Sequence, residues 1–241
     1  MDQKGRIFVA LDGMSLEQSV TLIRTINNSP YGKMIAGEKA HDLLESNPGE
    51  NVVARLLDAG APSVWTDLKL YDTPGTVEKR AYALAKLGAA YITVHIAGGI
   101  EMMRAAMKSG AKIIGITELT SLTEEEVHLL SGQPRKASVL NRARLAHMAG
   151  LRHVVCSPHE VAILAARRRF ELEGMKLITP GIRLKGKEAT DDNQKQVDTP
   201  EAAFRSGADY IVLGSALTKA PDPLAVLATI KKQMEKIDSN T

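Results

Sequence analysis

The densest chemical segment of the chain is Thr66-Asp67-Leu68-Lys69-Leu70-Tyr71-Asp72-Thr73-Pro74-Gly75-Thr76. Asp67 and Lys69 are two apart, so on an extended chain both side chains project to the same face, and Asp72 follows in the loop. A lysine bracketed by two carboxylates is held as the ammonium, which suits it to anchoring negative charge and delivering a proton rather than attacking as a free amine. The competing reading is a surface salt-bridge cluster. The otherwise apolar run from Val64 to Leu68 favours a buried strand instead.

Other polar groups follow short apolar runs. Asp12 closes Ala10-Leu11-Asp12, and Gly37-Glu38-Lys39-Ala40-His41-Asp42 offers a second lysine, Lys39, after a strand. Val94-His95-Ile96-Ala97-Gly98-Gly99 and Thr117-Glu118-Leu119-Thr120-Ser121 are each weak alone. Pro180-Gly181-Ile182-Arg183 and Leu213-Gly214-Ser215 suit a phosphate, with backbone N–H groups as donors and Arg183 as a bidentate cation. The spacing G-x-x-x-x-G-K from Gly181 to Lys187 is followed by Glu188 and a charged loop, which argues against a nucleoside-triphosphate site.

These groups must be positioned by strands. Candidates are Arg6 to Leu11, Lys33 to Ala36, Ser63 to Leu68, Tyr91 to His95, Lys112 to Thr117, His153 to Cys156, Lys176 to Thr179 and Tyr210 to Leu213. Longer stretches with helical spacing separate them. Ser15-Leu16-Glu17-Gln18, Thr123-Glu124-Glu125-Glu126, Ser157-Pro158 and Thr199-Pro200-Glu201 read as helix starts, and Gly88, Gly110, Gly150 and Gly207 as helix stops. Eight strand-then-helix units predict an α/β fold, a single (β/α)8 TIM barrel over residues 1–241. A doubly wound open sheet would usually show a G-x-G-x-x-G turn after its first strand, and none is there. In a barrel the polar strand ends gather at one mouth.

Composition bounds the remaining classes. With 44% hydrophobic and 24% charged residues the chain should fold, and no apolar run reaches the length of a membrane span. The start of the chain leads into a strand-like run rather than a signal peptide, and the single cysteine, Cys156, fits a reducing compartment, so a cytoplasmic location is expected. A net charge of +3 and 4% aromatics give no footprint for nucleic acid. Arg167-Arg168-Arg169 reads as a solvated helix end.

Asp67 to Thr76 resembles the D-x-K-x-x-D-I-P-x-T signature of orotidine 5′-phosphate decarboxylases. The similarity runs from about Arg6 to the last helix and includes Asp12, Lys39, Val94-His95, Leu119-Thr120-Ser121, Thr179-Pro180-Gly181-Ile182-Arg183, Asp191-Asp192-Asn193-Gln194, Thr199-Pro200 and Asp222-Pro223. The resemblance implies removal of CO₂ from C6 of orotidine 5′-monophosphate to give uridine 5′-monophosphate, the last step of pyrimidine nucleotide synthesis, with neither metal nor organic cofactor. It implies Lys69, Asp67, Asp72 and Lys39 as the catalytic set, with Lys69 stabilising and then protonating the C6 carbanion. It further implies Asp12 and Lys39 on the ribose, Thr120 and Ser121 on the pyrimidine edge, and Arg183, Gln194, Gly214 and Ser215 at the phosphate. Asp72 and Thr76 would reach into a neighbouring subunit's site, hence a homodimer. The loop from Arg183 to Val197 would form a lid.

Three positions depart from the pattern. Ser215 replaces an arginine, predicting weaker phosphate affinity or compensation from Lys185, Lys187 or Lys219, while Thr73 and Gly75 replace Ile and Asn. Two alternatives stay open: a magnesium-dependent sugar-phosphate decarboxylase or aldolase on the same barrel, and a non-catalytic nucleotide-phosphate-binding barrel.

Overall fold

The structure is a computed structural model that describes residues 5–184 and 198–238. Eight parallel strands close in sequential order: β1 (Ile7–Ala10), β2 (Ile35–Ala40), β3 (Val64–Leu70), β4 (Tyr91–His95), β5 (Lys112–Ile116), β6 (His153–Val155), β7 (Lys176–Thr179) and β8 (Tyr210–Leu213). Between and after them run α1 (Leu16–Asn27), α2 (Asp42–Ser46), α3 (Val52–Asp58), α4 (Pro74–Lys86), α5 (Gly99–Met107), α6 (Glu124–Ser131), α7 (Arg135–Ala149), α8 (Pro158–Arg167), α9 (Pro200–Arg205), α10 (Ser215–Thr218) and α11 (Pro223–Asp238). β1 pairs with β8, so the sheet has no edge. The chain is the (β/α)8 barrel that its strand rhythm predicts.

Local chemistry explains the helix boundaries. Ser15 and Thr123 each form a capping box, Ser15 with Gln18 and Thr123 with Glu126. Pro158 and Pro200 occupy the first helical position after Ser157 and Thr199. Gly88, Gly150 and Gly207 follow α4, α7 and α9 at φ of 104°, 105° and 104°, where a side chain would be strained. Arg167 ends α8 and pairs with Glu171, and Arg168 pairs with Asp209, so the basic run serves the helix end. Among the described residues no helix is long and apolar enough to cross a membrane.

Apolar side chains fill two separate regions. Inside the barrel, Phe8 meets the rings of Trp65, Tyr91 and Tyr210 at 5.2, 5.3 and 5.4 Å, with Ile114, Ile116, Val155, Ile178 and Val212 around them. The larger region lies between sheet and helices and includes Val9, Ile23, Leu56, Val77, Met102 and Leu227. The aromatic plug makes the barrel a packed core, and chemistry is left to its open C-terminal end.

Two strands depart from expectation by more than one residue: β3 runs on to Leu70 rather than ending at Leu68, and β2 is displaced further. β2 begins at Ile35, not Lys33, and runs on to Ala40, so Lys39 lies within the strand rather than in a following loop. Charged Glu38 and Lys39 hid this extension, because the partners that neutralise Lys39 come from other strands. Gly37 permits the close approach of β2 to β3: a Cβ there would sit 2.2 Å from Ser63 Oγ and 2.7 Å from Ser63 O.

Candidate active site

β3 carries two residues more than its neighbour across one stretch. Thr66 pairs with Ile92 and Leu70 with Val94, so four steps along β3 match two along β4. Within the bulge Lys69 has φ of 46°, the one left-handed non-glycine among the described residues. The expected simple extended spacing is thus broken here. Both side chains nevertheless converge, with Lys69 Nζ 2.9 Å from Asp67 Oδ2.

Lys39 completes the cluster from β2. Its Nζ donates to Asp12 Oδ1 and Oδ2 at 2.9 and 2.8 Å and stands 3.1 Å from Asp67 Oδ2. Burial alone would raise the pKa of Asp67, yet the Lys39 and Lys69 ammonium groups outweigh it and hold the carboxyl below the usual range. Burial likewise works against the charge on Lys39, but Asp67 and Asp12 more than reverse it and push the ammonium up. The result is an alternating row, Asp12, Lys39, Asp67, Lys69, drawn from β2, β3 and the end of β1.

This row forms one side of a cavity of about 540 Å³. Trp65, Ile116, Val155 and Val212 give it apolar surface. Glu118, Leu119 and Thr120 line it after β5, Pro180, Gly181 and Arg183 after β7, and Gly214, Ser215, Thr218 and Lys219 after β8. An apolar floor, one row of charges and basic groups opposite suit a flat polar ring carrying an anionic tail.

The structure does not gather every expected residue. Ser121 is exposed and does not line the cavity. Asp72 is exposed, its Oδ1 accepting from Thr73 N at 2.6 Å, and it makes no ion pair with Lys69 within the chain. Thr76 is half-buried in the first turn of α4, 3.1 Å from Thr73 Oγ1, also outside the cavity. Gln194, Lys185, Lys187 and the rest of residues 185–197, the greater part of the lid expected from Arg183 to Val197, lie outside the described residues. The two flanks of that stretch are joined, since Arg183 N donates to Asp198 O and Asp198 N to Gly181 O.

Sequence reasoning passed over several members. Glu118 is 3% exposed, accepts from Ser138 at 2.5 Å and pairs with Arg142 at 2.9 Å, while Arg142 also donates to Thr117 O. This ties the β5 end, and with it Thr120, to α7. Trp65 and Thr93 stand behind Asp67. Trp65 was findable, being two before Asp67 and so on the same strand face; nothing in the sequence joins Thr93 or Arg142 to the site.

A profile of the orotidine 5′-phosphate decarboxylase / HUMPS family matches residues 5–230. The chain belongs to this family. It is 45% identical over 210 residues to the orotidine 5′-phosphate decarboxylase of Anaeromyxobacter dehalogenans, covering 83% of this chain and 89% of that one. The counterpart from Idiomarina loihiensis is 39% identical over 233 residues, covering 93% and 96%. Among solved structures, the orotidine 5′-phosphate decarboxylase of Lactobacillus acidophilus superposes with a TM-score of 0.75 at 31% identity, covering 95% of this chain and 99% of that one. The decarboxylase family signature, Asp67 to Thr76, spans the β3 bulge and the start of α4. Of its departures, Thr73 is the N-cap of α4, and Ser215 opens α10 on the cavity wall.

Proposed function

We propose that the chain converts orotidine 5′-monophosphate to uridine 5′-monophosphate, with no cofactor. The observation that carries this is the Lys39–Asp67–Lys69 arrangement at the cavity wall, in a chain of this family. In the step, the bond between C6 and the carboxyl carbon breaks, CO₂ leaves, and the electron pair stays on C6. Lys69 Nζ, held by Asp67, opposes that charge and then gives C6 a proton, recovering one from water. A unit-charge pair at ~4 Å and effective dielectric near 20 is worth about 4 kcal/mol, against the roughly 8–23 kcal/mol by which enzymes lower barriers. Placement of the whole row, including Asp67 beside the departing carboxylate, must supply more.

Asp12 and Lys39 bind the ribose, Thr120 the pyrimidine edge, and Arg183, Gln194 and the Gly214–Ser215 backbone the phosphate. Asp72 and Thr76 complete a second subunit's site in a homodimer working in the cytoplasm. The position of both outside their own cavity, with Asp72 exposed just before α4, supports this assignment. A magnesium-dependent sister reaction is less well supported, because Asp12 and Asp67 are both already bound by Lys39.

The test follows the ultraviolet absorbance of orotidine monophosphate with excess EDTA. Native protein should turn over undiminished, and Lys69→Ala should lose at least about 1000-fold in kcat. No turnover by native protein refutes the activity; turnover by Lys69→Ala refutes the role of Lys69.

A further inference from the structure

The carboxylate at the centre of the charge row has a second attachment, on the side away from the lysines. Trp65 Nε1 donates to Thr93 Oγ1 at 2.5 Å, and Thr93 Oγ1 donates to Asp67 Oδ1 at 2.8 Å. The three residues are 2%, 0% and 5% exposed, so water does not compete for these bonds. We propose that Thr93 is a positioning residue for Asp67 and that Trp65 sets the direction of its proton; the proposal rests on the decarboxylase reading above.

Direction follows from donor counting. An indole N–H only donates, and a hydroxyl has one proton. Thr93 Oγ1 must therefore accept from Trp65, which leaves its own proton for Asp67 Oδ1. Oδ2 meanwhile faces the ammonium groups of Lys39 and Lys69 at 3.1 and 2.9 Å. Both oxygens act as acceptors, which is the pattern of the anion.

The reaction gives this relay its purpose. A substrate carboxylate brought next to Asp67 is a like charge, and like charges at a shared site drive one group to take up a proton. The Thr93 hydrogen bond resists that uptake because it favours the charged form. It also stops the carboxylate from turning, so Oδ2 stays between the lysines that hold and deliver the proton. β3 and β4 are suited to this, since Trp65 and Asp67 share one face of β3, and Thr93 reaches across from β4 beside the bulge.

The experiment compares native protein with Thr93→Val, Thr93→Ser and Trp65→Phe in kcat, KM and their pH dependence. Thr93→Val keeps the shape and removes the donor. It should lower kcat about 10- to 100-fold, with KM little changed, and move the acid limb of kcat upward. Thr93→Ser should restore both. Trp65→Phe frees the hydroxyl to turn and should move the acid limb the same way by less.

Trp65 is the one tryptophan in the chain, so its emission reports on this spot without any turnover. Its acid titration should shift upward in Thr93→Val relative to native protein. Native kcat and an unmoved acid limb in Thr93→Val overturn the proposal, as does failure of Thr93→Ser to recover activity. If Thr93→Val does not fold, an unmoved acid limb in Trp65→Phe overturns it. If the native protein turns over nothing, the activity assignment has failed on its own, and the emission titration still decides the relay.

Discussion

Lys39 Nζ lies 3.1 Å from Asp67 Oδ2, an ion pair between neighbouring strands whose side chains are only 10% and 7% exposed. Such a pair is costly to break, because the survivor is left as a charge without its partner in a poorly solvated place.

Lys39→Met should therefore cost at least about 100-fold in kcat. The variant removes one of the cations that overcome burial and hold Asp67 below the usual carboxylate range. A carboxyl with a lowered folded pKa contributes stability above its unfolded pKa and loses it as pH falls through the folded value. Lys39→Met brings the folded pKa of Asp67 back toward the unfolded one, so the variant is less stable at neutral pH and loses less of its stability on acidification. Thermal midpoints measured from neutral to acid pH check this; a midpoint that falls as steeply with acid as in native protein contradicts it.

Ser215 places a short neutral side chain on a cavity wall shared with Arg183 and Lys219. Ser215→Arg should lower KM for orotidine monophosphate about tenfold by adding a bidentate phosphate contact. Lys219→Ala should raise it by a similar factor if the lysine compensates. Michaelis constants at fixed ionic strength decide; an unchanged value in both variants means the phosphate sits elsewhere.

Sharing of sites is tested by mixing inactive parents. In a homodimer whose sites each take Asp67 from one subunit and Asp72 from the other, an equal mixture of Asp67→Ala and Asp72→Ala subunits is half heterodimer, and each heterodimer has one intact site. Activity should return to about a quarter of the native level. Activity staying at the parents' level shows that Asp72 does not cross between subunits.

Glu38 is 2% exposed between β2 and its covering helices. Burial pushes its pKa up to about 8, and its Oε2 has no hydrogen-bond partner among the described residues. Between the ordinary carboxylate value and about 8 the unfolded chain is ionised and the folded one is not, so stability falls as pH rises, by about 1.4 kcal/mol per pH unit at most. Glu38→Gln removes the ionisation. Its unfolding free energy should be flatter than native from pH 5 to pH 8 and higher at about pH 8; parallel curves would refute the assignment.

The barrel was legible because its signals are local. Apolar runs, capping boxes at Ser15 and Thr123, and glycines at helix ends act within a few residues of the boundary they mark. Lys39 was placed in a loop because strand propensity penalises an unpaired lysine, while its actual partners lie 27 and 28 positions away. The same distance hides Thr93 and Arg142, polar residues whose roles come only from what faces them across the fold. Asp67 and Lys69 were legible as a pair, but not the bulge that joins them: pairing with β4 creates it, and no residue type announces a positive φ at lysine.

That bulge sets a limit on how the chain can change. β3 spends two extra residues where a regular ladder would add hydrogen bonds and relieve Lys69 of its left-handed backbone. Substitutions that straighten β3 would yield a sturdier barrel with a displaced ammonium, so selection for heat resistance and selection for turnover pull this segment in opposite directions.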